Sequence, residues 1–247
     1  MSWILLLGDA HLRDGDPEVE AFVEFLETLP ADVTGLYLLG DLFDLWIGNP
    51  SLIGPSHRRV VAALREVRQR GVKIAYVEGN RDYHLRSSYH GDPFDQLVEE
   101  ALEISFGSRR LLLAHGDCVN RKDVPYRLWR WVSKGPILPA LLNLLPARRA
   151  VQLAARLERS MARTNARHRA SFPEEECRDY ALKGRSAGFD TLVLGHFHQE
   201  LERSYVGREG RVEVFVLPAW RDARRYLKIG AEGTARFESF RRRAAAE

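Results

Sequence analysis

The chain has 247 residues, a net charge of +3 and 45% hydrophobic residues, which suits one large domain, or one domain with an insertion, around a sizeable core. So small a net charge is no argument for nucleic acid as a partner. Two cysteines, Cys118 and Cys177, exclude a disulfide framework and a cysteine zinc cluster and point to a reducing compartment.

The first apolar run, Trp3–Leu7, reads as a buried strand. It is short, lacks a basic leader and ends in Gly8-Asp9, so it is not expected to be a signal peptide. Pro17–Leu29 predicts a helix, with Pro at its start and Val19, Phe22, Val23, Phe25, Leu26 and Leu29 on the apolar side. Leu36–Leu39 predicts a second strand, Ser56–Gln69 a second helix stopped by Gly71, and Ile74–Val77 and Leu111–Ala114 two further strands. Strand–helix–strand alternation argues for an α/β layered core.

The stretch from Arg121 to Ala170 breaks the pattern. It carries twelve Lys/Arg against only Asp123 and Glu158, a local charge of +10 that leaves −7 for the rest. Leu138, Leu141, Leu142, Leu144 and Leu145 lie between Pro136, Pro139 and Pro146, and Ala147–Arg169 is rich in Ala, Arg and Leu. A helical insertion over about 121–169, within a single domain of residues 1–247, is expected. Beyond it, Leu192–Leu194, Leu201–Val206, Val212–Leu217, Tyr226–Ile229 and Ala235–Phe240 read as strands, mostly separated by Gly207, Gly210, Gly230 and Gly233, so the sheet should be mixed. No stretch reaches the roughly 18 apolar residues of a spanning helix. A cytoplasmic protein is expected, able to touch a membrane but not to cross it.

The polar residues that matter follow the strands. Asp9 and His11 follow the first, Asp41 the second, Asn80-Arg81-Asp82 the third, His115 the fourth, and His196 and His198 the fifth. Ligands of α/β sheets bind at the carboxyl ends of strands, so these clusters should converge. Asp-x-His and His-x-His in extended backbone send both side chains to one side. Carboxylate, imidazole and amide donors together favour Mn2+, Fe2+ or Zn2+ over Ca2+, and the lack of thiolates argues against structural zinc. His57, His84, His90 and His168 lie outside these motifs and read as surface or internally satisfied residues.

This succession resembles the calcineurin-like dinuclear metallophosphoesterases, whose motifs are Asp-x-His, Gly-Asp, Gly-Asn-His-Asp, a lone His and Gly-His-x-His. The resemblance implies an α/β fold of four layers, a sandwich of two mixed β-sheets flanked by helices, with the insertion as a lid. It also implies two divalent metal ions. Asp9, His11, Asp41 and His198 would hold one; Asp41, Asn80, His115 and His196 would hold the other.

Arg81 departs from the superfamily at the His of Gly-Asn-His-Asp. Arginine cannot donate a proton at neutral pH, but it clamps phosphate bidentately. Gly-Asn-Arg-Asp is similar to the signature of one subgroup, the UDP-2,3-diacylglucosamine hydrolases of lipid A synthesis. Gly40-Asp41-Leu42-Phe43-Asp44-Leu45-Trp46-Ile47-Gly48, His115-Gly116-Asp117 and Leu217-Pro218-Ala219-Trp220 agree with it. The resemblance implies a Mn2+-dependent hydrolase that cleaves the substrate's diphosphate to the lipid monophosphate and UMP. A hydroxide between the metals would attack phosphorus. Asn80, Arg81 and His115 would form the catalytic set, and Arg81, Tyr126 and Asn165 would bind substrate. Asp82 would orient Arg81 or a ligand imidazole, or else serve as a turn or helix-cap aspartate. A lipid-linked substrate also implies peripheral contact with the inner membrane.

The basic, leucine-rich insertion suits an amphiphilic diphosphate better than nucleic acid, because aliphatic residues interleave its charges and no nucleic-acid module is recognisable. No obligate protein partner is indicated. Two other readings remain open: a phosphodiesterase or pyrophosphatase acting on a soluble nucleotide or nucleotide-sugar, and a non-catalytic scaffold on the same fold. The scaffold would be expected to lose ligand residues, and none is missing.

Overall fold

The computed structural model describes residues 2–120, 122, 127, 128, 130, 134, 135 and 172–242. In chain order the first half contains β1 (Trp3–Leu7), α1 (Pro17–Glu27), β2 (Val33–Leu38), β3 (Trp46–Ile47), α2 (Pro55–Gln69), β4 (Lys73–Val77) and β5 (Asp82–Tyr83). There follow α3 (Arg86–Tyr89), β6 (Gln96–Val98), β7 (Ala101–Phe106), β8 (Arg109–Ala114) and α4 (Glu174–Ser186). The last part contains β9 (Thr191–Leu194), β10 (Leu201–Gly207), β11 (Gly210–Val216), α5 (Trp220–Ala223), β12 (Arg225–Gly230) and β13 (Ala235–Ser239).

Alternation along β1 sets the layers. All five of its side chains are buried, and successive ones point to opposite faces. Trp3, Leu5 and Leu7 join the apolar cluster that contains Phe22 and Leu26 of α1 and Val60 and Leu64 of α2. Ile4 and Leu6 join a second cluster with Leu111 and Leu113 of β8, Val193 of β9 and Phe215 of β11. That cluster is the seam between two sheets. The first has six strands in the order β13-β12-β1-β2-β4-β6 and the second five in the order β10-β11-β9-β8-β7. On the far side of the second sheet, Cys177 and Ala181 of α4 pack on Leu192, Leu194 and Val214. Helices, sheet, sheet and helix make the four layers expected.

Both sheets are mixed. β1, β2, β4 and β6 run parallel, while β12 and β13 join antiparallel. In the second sheet β8, β9 and β11 run parallel, with β7 and β10 antiparallel at the edges. A two-stranded sheet of β3 and β5 sits beside them. Helix α1 begins as its sequence suggests: the Asp16 side chain accepts the Glu18 amide at 3.0 Å, and Pro17 occupies the first turn.

Among the elements that exceed the sequence reading are β6, β7 and α4. β7 alternates buried Leu102 and half-buried Ile104 and Phe106 with exposed Glu103 and Ser105, a two-residue period that marks a strand. β6 has only three residues, too few for periodicity. α4 fully buries only Cys177, Ala181 and Gly184, with Tyr180 and Leu182 partly buried against the same cluster, so its apolar stripe is weak. Most of the 121–169 segment, with Tyr126 and Asn165, lies outside the described residues, as does His168. Of that segment, Arg127, Leu128, Arg130 and Lys134 are described as helical. Among the described residues no helix is long and apolar enough to cross a membrane.

Candidate metal centre

The carboxyl ends of β1, β2 and β4 in one sheet and of β8 and β9 in the other lead directly into Asp9, Asp41, Asn80, His115 and His196. Backbone bonds tie these loops together. Asp9 N donates to Gly40 O at 3.1 Å and His11 N to Asp41 O at 3.0 Å. Asp9 Oδ2 accepts the His196 amide at 2.8 Å, which joins the two sheets at the site. Asp9, His11, Asp41, His196 and His198 all have φ between +45° and +69°. Non-glycine residues rarely adopt that region, and such strain clusters at functional sites.

Space is tight. A Cβ on Gly40 would lie 2.6 Å from His115 Nδ1, and one on Gly79 would lie 2.3 Å from Asp41 Oδ1. Glycine at these positions lets the loops approach closely enough for their side chains to meet.

The donor atoms form two triangles. In the first, Asp9 Oδ1, His11 Nε2 and His198 Nε2 are separated by 3.2, 3.2 and 3.7 Å. In the second, Asn80 Oδ1, His115 Nε2 and His196 Nδ1 are separated by 3.0, 3.2 and 3.3 Å. Between them lies Asp41 Oδ2, 4.0 Å from His11 Nε2 and 3.9 Å from His115 Nε2. Atoms about 2.0–2.1 Å from a common cation stand about this far from each other. All seven residues named from the sequence are therefore together.

Protonation is set by the surroundings. His115 Nδ1 lies 2.7 Å from the Leu39 carbonyl, which can only accept, so Nδ1 carries the proton and Nε2 presents its lone pair. Burial pushes the Asp9 carboxyl up, but the hydrogen bond and charge of His198, with His115 and His11, bring it well below the usual range. Asp41 Oδ2 is buried and accepts no hydrogen bond. A buried carboxylate oxygen without such a partner is costly unless a cation compensates it. The donor set, two carboxylates, an amide and four imidazoles, suits two divalent cations, and this orphaned oxygen is where they would share a ligand.

Arg81 sits at the mouth, its Nε 3.6 Å from Asp41 Oδ2. Its amide donates to Asp41 Oδ1 at 2.8 Å, and its Nη1 donates to the Asp44 carbonyl at 3.2 Å. Of the two parts expected for Asp82, the structure shows the turn aspartate. Its Oδ2 accepts the Asp41 amide at 3.0 Å, the Gly79 amide at 2.7 Å and the Tyr76 hydroxyl at 2.8 Å, so it buttresses the backbone of two ligand loops. Burial and the charge of Asp41 push its pKa up to about 7.

Asp44 is the residue the sequence reading passed over. Its Oδ1 lies 3.5 Å from His11 Nδ1, and its Oδ2 pairs with Arg13. The only sign of it in the sequence is its place three residues after Asp41. Of the other histidines, His57 stacks on Phe43 with its Nε2 3.2 Å from the Leu45 carbonyl, while His90 is exposed. A cavity of about 740 Å³ opens beside the His115 strand end, lined in part by Gly116, Asp117, Arg127, Arg130 and Lys134.

The calcineurin-like phosphoesterase family matches residues 2–200. A protein of Azotobacter vinelandii named UDP-2,3-diacylglucosamine hydrolase is similar at 32% identity over 93% of this chain and 95% of its own. One of the same name from Chromohalobacter salexigens is 27% identical over 96% of both chains. A third, from Pseudomonas fluorescens, is 31% identical over 93% of this chain and 92% of its own. Two layered mixed sheets, donors gathered from five strand ends, and a family match spanning all of those donors lead to one conclusion: the chain belongs to the calcineurin-like phosphoesterase family.

Proposed function

We propose that this enzyme hydrolyses the diphosphate of UDP-2,3-diacylglucosamine, adding water across the P–O–P bridge to give UMP and 2,3-diacylglucosamine 1-phosphate. In this reading Asp9, His11, Asp41 and His198 hold one divalent cation and Asp41, Asn80, His115 and His196 the other. The donor set suits Mn2+, Fe2+ or Zn2+, and Mn2+ is the one implied by the resemblance to the UDP-2,3-diacylglucosamine hydrolases. When bound, such a pair lowers the pKa of water and offsets charge on the phosphoryl oxygens.

The chain's own residues do the rest. Asp41 keeps the two donor triangles in register. His115, its proton held by Leu39, keeps its second nitrogen facing inward. Arg81 meets the phosphoryl oxygens with its planar fork.

The observation that carries this reading is Arg81 itself, its guanidinium 3.6 Å from the Asp41 oxygen at the centre of the site. An alkoxide leaving group needs a proton donor, and arginine is none. A phosphate ester leaving from a diphosphate has a second pKa of about 6 and departs as an anion without one. Arginine at this position therefore suits an anhydride. The lipid part rests on the relatives' name, matched over nearly their whole length. The 61% exposed Leu128 beside Arg127 supports peripheral contact with an anionic membrane surface on the cytoplasmic side. Tyr126 and Asn165 remain proposed substrate contacts.

The test is an assay of purified protein with Mn2+ against the diacylated and the deacylated UDP-sugar side by side. Preference for the diacylated compound is expected. Equal rates defeat the lipid assignment, and hydrolysis of neither defeats the diphosphatase reading.

A further inference from the structure

Two acidic residues near the cation site are buried, and neither is among the proposed ligands. Glu78 lies two residues before Asn80, and its side chain is fully buried; Asp117 lies two residues after His115, with its side chain 4% exposed. Each meets a base from the basic segment. Lys134 Nζ donates to Glu78 Oε2, and Arg130 Nη1 donates to Asp117 Oδ2 at 2.8 Å. The bases are only 10% and 11% exposed. Further bonds hold both partners: Glu78 Oε1 accepts the Leu85 amide at 2.8 Å, and Arg130 Nη2 donates to the Glu99 carbonyl at 2.6 Å.

We propose that Arg130 and Lys134 are positioning residues that couple the basic segment to the cation position formed by Asn80, His115 and His196. The inference rests on the metal assignment made above. Asn80 Oδ1 and His115 Nε2, the donors that must stay 3.2 Å apart, hang on the two loops that Glu78 and Asp117 anchor. Arg130 and Lys134, each helical and four residues apart in the chain, hold the two anchors, so the spacing of the anchors is tied to that short separation. The loops have little slack to adjust otherwise. Gly116 is at φ +110°, and a Cβ there would lie 3.0 Å from the Gly195 carbonyl. Breaking either pair takes a charged partner from a buried carboxylate, which weakens the hold on its side chain and loop.

Stepwise calorimetric titration of the metal-free full chain with Mn2+ tests this. The unmodified chain should take two equivalents. Arg130→Met and Lys134→Met should each weaken one equivalent by on the order of 10- to 100-fold, the loss seen when residues behind a metal ligand are removed, and leave the other unchanged. Arg130→Lys and Lys134→Arg should retain both. A lower melting temperature with both affinities intact would mean that the pairs only staple the fold, and the proposal falls.

Should the methionine variants not fold, hydrogen exchange of the unmodified chain decides. Residues 127–135 should gain protection as the weaker equivalent binds, and protection indifferent to that equivalent overturns the coupling. Fewer than two equivalents on the unmodified chain removes the metal assignment itself, whereas two equivalents with unresponsive variants removes the coupling alone.

Discussion

Asp44 grips Arg81 at two points, its carbonyl oxygen 3.2 Å and its carboxylate Oδ1 3.5 Å from the same Nη1. Burial pushes this carboxyl up, but hydrogen bonds from His11 and Arg13 and the charges of Arg81 and Arg13 bring it down to about 2. It is therefore ionised throughout the working range and able to aim both Arg81, the proposed phosphate clamp, and the imidazole of His11, a proposed ligand. Asp44→Ala should lower kcat/KM by on the order of 10- to 100-fold with its circular dichroism unchanged. Combined with Arg81→Ala, it should add little to the single loss. Independent, additive losses would show that the two residues act separately.

Asp41 offers the oxygen both donor triangles need. Asp41→Ala should abolish metal-dependent hydrolysis and reduce bound metal, measured by elemental analysis after dialysis. Asp41→Asn, which keeps the shape and the Oδ1 acceptor for the Arg81 amide, should keep its fold and still lose metal. Unchanged turnover in the alanine variant would rule this site out.

Arg81→Lys keeps the charge but loses the planar fork. Two metal equivalents should remain, while kcat/KM on the diphosphate falls by on the order of 100-fold, the scale of one lost transition-state donor. Loss of metal in this variant would make Arg81 a structural support of the site.

Two glycine substitutions separate the site from the scaffold. In Gly79→Ala the new methyl would lie 2.3 Å from Asp41 Oδ1, so metal affinity and activity should fall together. Gly107 is at φ +56°, and its methyl would meet the Ala231 carbonyl at 1.7 Å, remote from the metal loops. Gly107→Ala should cost about 1–3 kcal/mol of stability and leave metal stoichiometry alone. Thermal melts with metal analysis on both variants check this.

Asp16 caps α1 and accepts Arg221 Nη1 at 2.6 Å. Burial raises its pKa, but the Glu18 amide and Arg221 outweigh that and leave it below the usual value. A depressed folded pKa contributes stability above the unfolded value, about 3.9 for Asp, and that stability is lost as pH falls through the folded value. Asp16→Asn keeps a good cap but not the charge. Its melting temperature should sit below the unmodified chain's at pH 6, and the gap should close as pH drops below 4. A constant gap would place the effect in the cap.

Much of the fold was legible because its signals are local. Trp3–Leu7 is bounded in the structure where its apolar run is bounded, and α1 starts at the Pro17 that marks it. The polar residues after five strands could be named as one site because parallel strands put their carboxyl ends on one edge. Where the local signal is weak, reading failed: the fully buried residues of α4 are all small, and β6 is too short to have a period.

The sequence by itself determined most of the strands, the first two helices and which seven side chains have the chemistry of metal donors, since apolar period and donor type are properties of neighbouring residues. Only the tertiary structure decided that Asp41 Oδ2 stands between two triangles, that Asp82 braces backbone while Asp44 aims Arg81, and that Glu78 and Asp117 hold the basic segment. Those relations join residues many positions apart, and their distances follow from loops bent through left-handed backbone and from two sheets pressed together, neither of which leaves a repeating trace along the chain.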